Sequence, residues 1–415
     1  MRCMIVPAGR SVSAYVTYGD ECLGIVGPFG VASPWWADVE PVVAHLRDTL
    51  GVPVVVLRLV DVDGGVSPRG GHVTYHAEAF ARPGPALEET TCDGLNEPQA
   101  GRSAWATTTG VRAALQWADD ELTALGRAPS GEAEQVKTWN LSALFRLPTI
   151  TQPVWLKLTP GFAAHEPAVI DLVASVDPGL VPAVVASDLA NRRMLLETVP
   201  GEDCWDASPE LIRTTLTRWV AAQAALAAQP ALAAQANLAG VPDRRPQQLT
   251  AGLQQLLDGE AGRDLDDAEL AEARQLATRL PDLIDELNSC GLPLTLVHGD
   301  FHPGNWRVDG GEATLIDFAD AYFGHPAFDG ERLREFVEPG RRQPVVDAWC
   351  TAWMAQMPSS HPARALAIAR PLQALSGAVL YQMFLDHIEV SERRYHASDP
   401  VAGIRDAIMA ARELI

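Results

Sequence analysis

Two short stretches of the chain carry side chains that could transfer a phosphoryl group. The first is His298-Gly299-Asp300-Phe301-His302-Pro303-Gly304-Asn305, and Leu315-Ile316-Asp317-Phe318 follows it closely. Asp300 could take a proton from an acceptor hydroxyl. Asn305 and Asp317 supply an amide oxygen and a second carboxylate, and Mg²⁺ on nucleotide phosphates prefers a few such oxygen ligands. The types and order of these residues predict a phosphoryl-transfer centre.

The elements around these residues should bring them together. Residues 294–297 and 313–316 are short apolar runs that predict two buried strands, each delivering polar residues at its end. Asp309-Gly310-Gly311 between them predicts a hairpin turn. Taken singly, an Asp after Gly is usually a turn residue or a cap, and a loop Asn usually binds backbone. The combination of both stretches favours catalysis over those structural roles.

Both stretches resemble the catalytic signature of the aminoglycoside phosphotransferase and choline kinase family, which has a protein-kinase-like fold. The resemblance continues through Asp320 to the run from Phe323 to Asp329, and it spans residues 135–396. Gly330 stands where the family usually has Leu, at a structural position. The resemblance implies an enzyme that moves the γ-phosphate of ATP, with GTP as the alternative, to a hydroxyl of a small molecule.

The resemblance also implies a role for each residue of the catalytic loop. Asp300 accepts the proton of the acceptor, and Asn305 and Asp317 hold magnesium. His298 orients the loop by hydrogen bonding, and His302 either binds phosphate or packs within the loop. The two histidines have the spacing of a zinc pair, but they lie in a loop rather than on a helix, so magnesium is the favoured metal.

Residues that would hold the nucleotide are expected earlier in the chain. Lys157 lies within an apolar strand, where a lone lysine is costly to bury unless it is paired. The family's lysine contacts the α- and β-phosphates, and Glu166 would be its partner; an exposed edge-strand lysine is the alternative. The turn ending at Ser142 has the position of a phosphate-covering loop but is equally well a plain hairpin. Glu197 to Val199 resembles the hinge that binds adenine.

The acceptor site should be acidic if the acceptor is an amine. Asp320 lies next to the metal strand, and Asp386, Glu389 and Glu392 are spaced three apart, as on one face of a helix. These four carboxylates could meet a cationic acceptor, although a solvated helix face is the simpler interpretation of the last three. Amino sugars, sugars and aminoglycoside-like molecules are the acceptors that the family resemblance implies.

Bulk composition limits the partners. The 415 residues carry a formal net charge of -21, which argues against a nucleic-acid or anionic membrane partner. Six scattered cysteines without CxxC spacing indicate neither a zinc site nor a disulfide framework, and they favour a reducing cytoplasm. The N-terminal residues lack the apolar core of a signal peptide, and no apolar run is long enough for a membrane helix. The oligomeric state is not indicated.

The predicted fold class is α+β, with a bilobal protein-kinase-like fold after a small α/β domain. Residues 1–85 form that domain, a cap or docking module that is similar to a Nudix-type domain around residues 47–52 but lacks its paired glutamates. Residues 86–130 provide a linker and a helix, 131–200 the β-rich N-lobe, and 201–415 the helical C-lobe with the catalytic loop.

Individual elements follow from apolar periodicity. Predicted strands cover residues 54–60, 72–79, 135–140, 143–147 and 154–158, and predicted helices cover 36–50, 109–125, 211–228, 246–257, 266–289, 341–357, 362–390 and 401–414.

Two other functions compete with a small-molecule kinase. A regulatory pseudokinase or nucleotide-binding docking protein would need no catalysis, and a fusion of hydrolase and kinase would use the N-terminal domain. The intact set of Lys157, Asp300, Asn305 and Asp317 favours the kinase.

Overall fold

The computed structural model describes residues 9–84 and 86–414, which divide into two compact units. The first unit comprises the chain up to Phe162 together with Val185–Thr198 and Phe384–Ala397. The second comprises Ala163–Val184, Val199–Met383 and the chain from Ser398 onward. Cys3 and most of the N-terminal segment for which no signal peptide was predicted, residues 1–8, lie outside the described residues.

The first unit is built largely from strands. Its elements are β1 (Arg10–Tyr18), β2 (Glu21–Val31), α1 (Glu40–Leu50), β3 (Val54–Asp63), β4 (His72–Ala79), α2 (Thr108–Ala124), β5 (Glu134–Trp139), β6 (Ser142–Leu147), β7 (Val154–Leu158), β8 (Val184–Asp188) and β9 (Arg193–Glu197). They form two sheets, with strand orders β2-β1-β4-β3 and β5-β6-β7-β9-β8.

The sheet β2-β1-β4-β3, referred to below as the N-terminal sheet, packs with α1 around its own hydrophobic core. Its central strands β1 and β4 are parallel, whereas β2 and β3 pair antiparallel at the two edges. α1 buries Val42, Leu46 and Leu50 against this core, and burying such side chains contributes roughly 1.5–3 kcal/mol each. Gly51 ends the helix at φ 69°, a left-handed conformation that favours glycine. The strands and helix predicted here are confirmed.

The second sheet contains the predicted meander. β5, β6 and β7 pair antiparallel in succession, and β9 then pairs with β7. Phe145 and Leu156 are fully buried where α2 packs Ala118 and Leu122 against the sheet. Because side chains alternate along strands, the same pattern that buries these residues fixes which residues face the other side.

The second unit is mainly helical, as predicted for the C-lobe. Its elements are α3 (Glu166–Ala174), β10 (Glu202–Asp203), α4 (Pro209–Ala227), α5 (Leu232–Leu238), α6 (Leu249–Asp258), α7 (Glu260–Arg263), α8 (Asp267–Ser289), β11 (Thr295–Val297), β12 (Trp306–Val308), β13 (Thr314–Leu315), β14 (Tyr322–Gly324), α9 (Ala327–Phe336), α10 (Arg342–Gln356), α11 (Pro362–His387), whose last turn belongs to the first unit, and α12 (Asp399–Arg412). This mixed α+β arrangement is that of the protein-kinase-like fold.

Short strands carry the predicted catalytic residues. β12 pairs with β13 through a hairpin in which Gly310 has φ 63°, so the predicted turn is confirmed. β11 pairs instead with β14. The two predicted strands, residues 294–297 and 313–316, therefore belong to different small sheets, although each still ends next to predicted catalytic or metal-binding residues.

A disulfide joins Cys22 and Cys92, 70 residues apart in the sequence. The prediction that no disulfide is indicated was wrong, because a single bridge between distant positions leaves no local spacing pattern. Cys204, Cys290 and Cys350 are free thiols. The cysteines therefore no longer support a reducing compartment. Among the described residues, no helix is both long and apolar enough to cross a membrane.

Candidate active site

Asp300 is held by four hydrogen-bond donors at the end of β11. Arg332 donates from Nε and Nη2 to Oδ1 at 3.0 and 2.8 Å. Oδ2 accepts from Asn305 Nδ2 at 3.0 Å and from His302 Nε2 at 3.2 Å. His302 Nδ1 accepts from the Gly304 amide, so Nε2 carries its proton. The carboxylate is thus fixed in position by three side chains.

The charge of Arg332 keeps Asp300 ionised. Burial alone would raise the pKa of this carboxyl group, but the guanidinium of Arg332 and the hydrogen bond from His302 outweigh burial and hold the pKa well below its ordinary value. Arg332 itself has a pKa raised above its ordinary range by the same pair, despite burial. Asp300 is therefore an anion throughout the physiological pH range.

Asp329 braces the catalytic loop from inside. Its carboxylate accepts from the backbone amides of His298 and Gly299 at 2.9 and 3.1 Å. It also accepts from Trp219 Nε1 and Gln223 Nε2 on α4, at 2.9 and 3.0 Å. Burial raises the pKa of Asp329 to about 6 although these donors oppose it. Through these four donors, one buried carboxylate ties the start of the glycine-containing loop to α4.

His298 is fully buried and orients the same loop. Burial lowers its pKa to about 4, so the imidazole is neutral near pH 7. Its Nε2 donates to the carbonyl of Ile316 at 3.1 Å, and its Nδ1 accepts from the amide of Asp300 at 3.3 Å. The side chain therefore links the segment that carries Asp300 with the segment that carries Asp317.

The two predicted magnesium ligands lie on neighbouring segments. The Asn305 carbonyl accepts from the Ile316 amide at 2.9 Å, next to Asp317. Asn305 uses its amide nitrogen on Asp300, which leaves Oδ1 as its remaining polar atom. Asp317 is exposed and has φ 65°, a conformation rare for residues other than glycine and often found at functional sites.

This donor set fits Mg²⁺. Magnesium is usually held by one or two carboxylates together with substrate phosphates and water, not by a closed cage of protein ligands. Across residues 9–84 and 86–414, no three His, Cys, Asp or Glu side chains are grouped as ligands of a metal ion.

Lys157 and Glu166 both occupy buried positions. Lys157 lies on β7 between Leu144 and Met194 of the adjacent strands, and only 7% of its surface is exposed. Glu166 begins α3, and its Oε1 accepts from the backbone amide of Phe318 at 2.9 Å. Glu166 therefore contacts the residue that follows Asp317. That contact couples the start of α3 to the segment of the predicted metal ligand.

A model of the phosphotransferase enzyme family matches residues 135–366, more than half of the chain. The chain belongs to this family. Its members are small-molecule kinases that act on hydroxyl groups, and the family resemblance inferred from the catalytic loop is confirmed. The Nudix-type resemblance of the N-terminal residues is not confirmed. No curated protein matches the chain.

Solved structures of the phosphotransferase family share this fold at low sequence identity. Choline kinase LicA from Streptococcus pneumoniae is 14% identical, with a TM-score of 0.51 over 72% of this chain and 99% of that one. A candidate aminoglycoside phosphotransferase from Ralstonia eutropha is 17% identical, with a TM-score of 0.50 over 72% and 98% of the two chains. At this identity the similarity establishes the fold alone.

Ser142 and Glu197, two further predicted nucleotide contacts of this phosphotransferase, have partners within the first unit. Ser142 Oγ accepts from Trp139 Nε1 at 3.0 Å, in the hairpin between β5 and β6. Glu197 at the end of β9 pairs with Arg127 and accepts from Gln152, and Arg127 lowers the pKa of this carboxyl group. The predicted hinge role concerns backbone groups, so these side-chain contacts leave it a prediction. Val199 is half-buried just beyond the strand.

The predicted acidic helix face differs from the structure. α11 ends at His387, so Asp386 lies on α11, whereas Glu389 follows it and Glu392 lies in the separate short helical segment Val390–Tyr395. Glu389 is 2% exposed and pairs with Arg58 and Arg102, while Glu392 is 3% exposed and accepts from the Leu59 amide. Both carboxylates thus have partners inside the first unit, which does not support their predicted contact with a cationic acceptor.

Asp320 lies close to the catalytic loop. A Cβ on Gly299 would come within 2.2 Å of the Asp320 carbonyl, and Gly299 has φ 84°, so only glycine suits that position. Burial, with the nearby charge of Asp300, raises the pKa of the Asp320 carboxyl group to about 7. Its predicted role towards the acceptor stays a prediction.

Sequence reasoning missed three residues beside Asp300, namely Arg332, Trp205 and Phe336. Arg332 lies one helical turn after Asp329 on α9, a spacing that places two residues on one helix face and could have indicated it. Phe336 follows one turn later. Trp205 lies in the loop after β10, where the sequence carries no periodic signal, and its neighbour Cys204 donates its backbone amide to the Pro303 carbonyl at 2.9 Å.

Proposed function

We propose that this protein transfers the γ-phosphoryl group of ATP to a hydroxyl group of a sugar, amino sugar or aminoglycoside-like acceptor. The observation that carries the proposal is the state of Asp300, an anionic carboxylate fixed by Arg332, His302 and Asn305. Positioning and charge neutralisation are what phosphoryl transfer requires of a protein. GTP is the alternative donor.

In this proposal Asp300 receives the proton of the acceptor hydroxyl as that oxygen attacks phosphorus. A carboxylate offers about four lone-pair positions, and the four donors on Asp300 already use that number. The hydroxyl therefore has to replace one donor. The His302 contact, the longest of the four at 3.2 Å, is the one that it replaces most readily.

Asn305 and Asp317 are proposed to hold Mg²⁺, which would neutralise charge on the transferred phosphoryl group. His298 keeps the segments of these two ligands in register through its bond to the Ile316 carbonyl. Lys157 is proposed to bind the α- and β-phosphates, and burial within β7 supports a paired role for this ammonium. Glu166 is proposed to support that lysine.

The test is magnesium-dependent release of ADP from ATP in the presence of pooled acceptors. The pools contain aminoglycosides, amino sugars, maltose-type sugars and amino alcohols. We expect acceptor-stimulated release by the native protein, and an Asp300→Asn variant should lose about 10²–10⁴-fold in kcat, the usual contribution of a general base. Nucleotide binding should persist, because Asp300 is not a proposed nucleotide ligand.

Asp309→Asn is the matched control, since Asp309 is exposed in the hairpin between β12 and β13. It should retain the rate of the native protein. Nucleotide binding without stimulation by any pool would refute the proposal and favour a regulatory nucleotide-binding protein. Equal rates for the Asp300→Asn variant and the native protein would remove Asp300 from the mechanism.

A further inference from the structure

Three rings pack together beside Asp300. Trp205 and His302 are stacked with centroids 5.0 Å apart, and His302 and Phe336 are stacked at 4.3 Å. Trp205 and Phe336 lie 6.0 Å apart at an angle of 34°. The guanidinium of Arg332 lies over the Phe336 ring at 4.5 Å. The imidazole and the guanidinium in this cluster are the same groups that bind the Asp300 carboxylate.

The two apolar rings are held in place yet remain exposed. Trp205 is 52% exposed and Phe336 38% exposed. A Cβ on Gly304 would lie 2.3 Å from Trp205 Cζ2, so the indole depends on the glycine of the catalytic loop. Large apolar rings that are fixed at a reactive carboxylate, and not buried, are typical of ligand-binding surfaces.

The position of the rings limits what can cover them. An acceptor hydroxyl must come within hydrogen-bonding distance of Asp300, where it replaces the His302 contact. The rest of the acceptor must then lie over or beside His302. Trp205 and Phe336 pack directly against that imidazole, so they are the apolar surface that an acceptor attached to this hydroxyl would meet.

We propose that Trp205 and Phe336 form an aromatic platform that selects a cyclic acceptor, a saturated ring whose C–H face lies on the two rings while one of its hydroxyl groups reaches Asp300. This inference rests on the proposed function and names the residues that determine its acceptor class. Aromatic rings carry negative charge on their faces and attract polarised C–H groups.

Trp205 and Phe336 together offer a larger apolar surface than a single ring. Their centroids lie 6.0 Å apart, so a cyclic alcohol can contact both rings at once. An acyclic amino alcohol would cover only part of that surface, because cations of that kind are bound best when several rings surround them. The exposed carboxylates of Asp203 and Asp206 flank Trp205 in the sequence and would favour an amine substituent on the ring.

The experiment measures binding and turnover separately on the full-length protein. Glucosamine, maltose and kanamycin serve as cyclic probes, and choline and homoserine as acyclic probes. Saturation-transfer difference NMR with an Asp300→Asn background reports binding without turnover, and initial rates report KM for each acceptor and for ATP. The variants are Trp205→Ala, Trp205→Phe and Phe336→Ala, with Trp35→Ala as the control because Trp35 is also an exposed tryptophan, in the N-terminal sheet domain.

We expect cyclic probes to bind, with saturation of their ring C–H protons, and Trp205→Ala to weaken their binding about five- to tenfold. Trp205→Phe should restore most of this loss. KM for ATP should not change, and Trp35→Ala should match the native protein. Binding of kanamycin but not of maltose would support the platform and restrict its acceptors to rings that carry amino groups.

Three outcomes overturn the inference. The first is that choline or homoserine binds as tightly as the cyclic probes, and the second is that none of the cyclic probes binds. The third is that Trp205→Ala raises KM for ATP alone, which would assign the two aromatic rings to the nucleotide. Ring binding that depends on Trp205 but gives no phosphorylated product would instead refute the proposed phosphotransfer while keeping the platform.

Discussion

In the proposed mechanism, the Asp300 carboxylate meets two demands that oppose each other. Asp300 must be ionised to accept a proton, yet the charge of Arg332 that keeps it ionised also lowers its basicity. A base of low pKa suits phosphoryl transfer, where the acceptor hydroxyl loses its proton late and orientation contributes more than base strength. In the proposed mechanism Arg332 is therefore a positioning residue that keeps Asp300 ionised.

Removing Arg332 should shift the pH dependence of the reaction. Arg332→Gln removes the cation that lowers the pKa of Asp300, so the pKa rises and the base becomes protonated at higher pH. We expect Arg332→Gln to lose kcat/KM on the acidic side at a higher pH than the native protein, whose Asp300 stays ionised across the measurable pH range. A pH series of initial rates measures this shift. Arg213→Gln, which breaks an exposed pair with Glu210, is the control and should leave the profile unchanged.

At the scale of elements, the segment after α11 belongs to the interior of the first unit. The short helical segment Val390–Tyr395 places Tyr395 in the core of the N-terminal sheet, where it contacts Trp36 and Trp139 edge to face. Ser391 donates to the Leu59 carbonyl. Residues more than three hundred positions apart in the chain thus form one folding unit.

Glu389 should contribute to stability and not to acceptor binding. Its carboxylate pairs with Arg58 and Arg102, all three being buried or nearly so. Glu389→Gln leaves these arginines without their counter-charge and should lower the free energy of unfolding by about 3–5 kcal/mol. Urea unfolding measures the change. Glu21→Gln, which breaks the exposed pair with Arg82, should cost less than about 1 kcal/mol.

A specific change in acceptor KM for Glu389→Gln, measured where the variant is still folded, would contradict this assignment. It would return Glu389 to the acceptor site.

Glu392 should make stability depend on pH. Burial and the neighbouring charge of Glu389 raise its pKa to about 8, although Arg58 opposes this rise, so the folded protein binds a proton that the unfolded chain releases. Stability should therefore fall as pH rises from the ordinary pKa of a glutamate towards 8. Glu392→Gln keeps an acceptor for the Leu59 amide and should remove this loss, which is on the order of a few kcal/mol.

Unfolding midpoints at pH 5 and pH 8 measure the effect of Glu392→Gln. The variant should gain stability relative to the native protein at pH 8 but not at pH 5. An equal effect at both pH values would show that Glu392 does not titrate between them.

At the scale of the whole molecule, one covalent link closes a long loop within the first unit. The Cys22–Cys92 disulfide spans 70 residues, including the N-terminal sheet strands β3 and β4. Closing a loop of this length restricts the unfolded chain and contributes about 4 kcal/mol in the chain-entropy model. The stability of the first unit should therefore depend on the oxidation state of these cysteines more than that of the second unit does.

Reduction should lower the melting temperature of the first unit selectively. Calorimetry with and without dithiothreitol measures the change, and a Cys22→Ser and Cys92→Ser double variant should melt like the reduced protein without responding to dithiothreitol. Cys350→Ser is the control, because Cys350 is a free thiol. An unchanged melting temperature on reduction would contradict a stabilising role for the bridge.

Local signals in the sequence determined much of the secondary structure of this protein and indicated its family. The apolar periodicity predicted α1, the meander β5–β7 and the helices α4, α6, α8, α10, α11 and α12, and the order Asp300, Asn305, Asp317 predicted the family. These features are readable because their causes lie within a few neighbouring residues: side-chain periodicity, turn residues and a reactive group with its flanking strands.

Only the tertiary structure decided the contacts between distant segments. No local pattern relates the positions that these contacts join. They are the ion pair of Arg332 with Asp300, the stacking of Trp205 on His302, the Cys22–Cys92 bridge and the burial of Glu392 against the Leu59 amide. The spacing of Glu389 and Glu392 predicted a helix face, but the chain ends that helix at His387 and buries both carboxylates among arginines and backbone amides. Which side chains are buried, and which partners they contact, depends on how helices and strands pack against each other. A single sequence shows which residues are hydrophobic but not which distant residues they pack against.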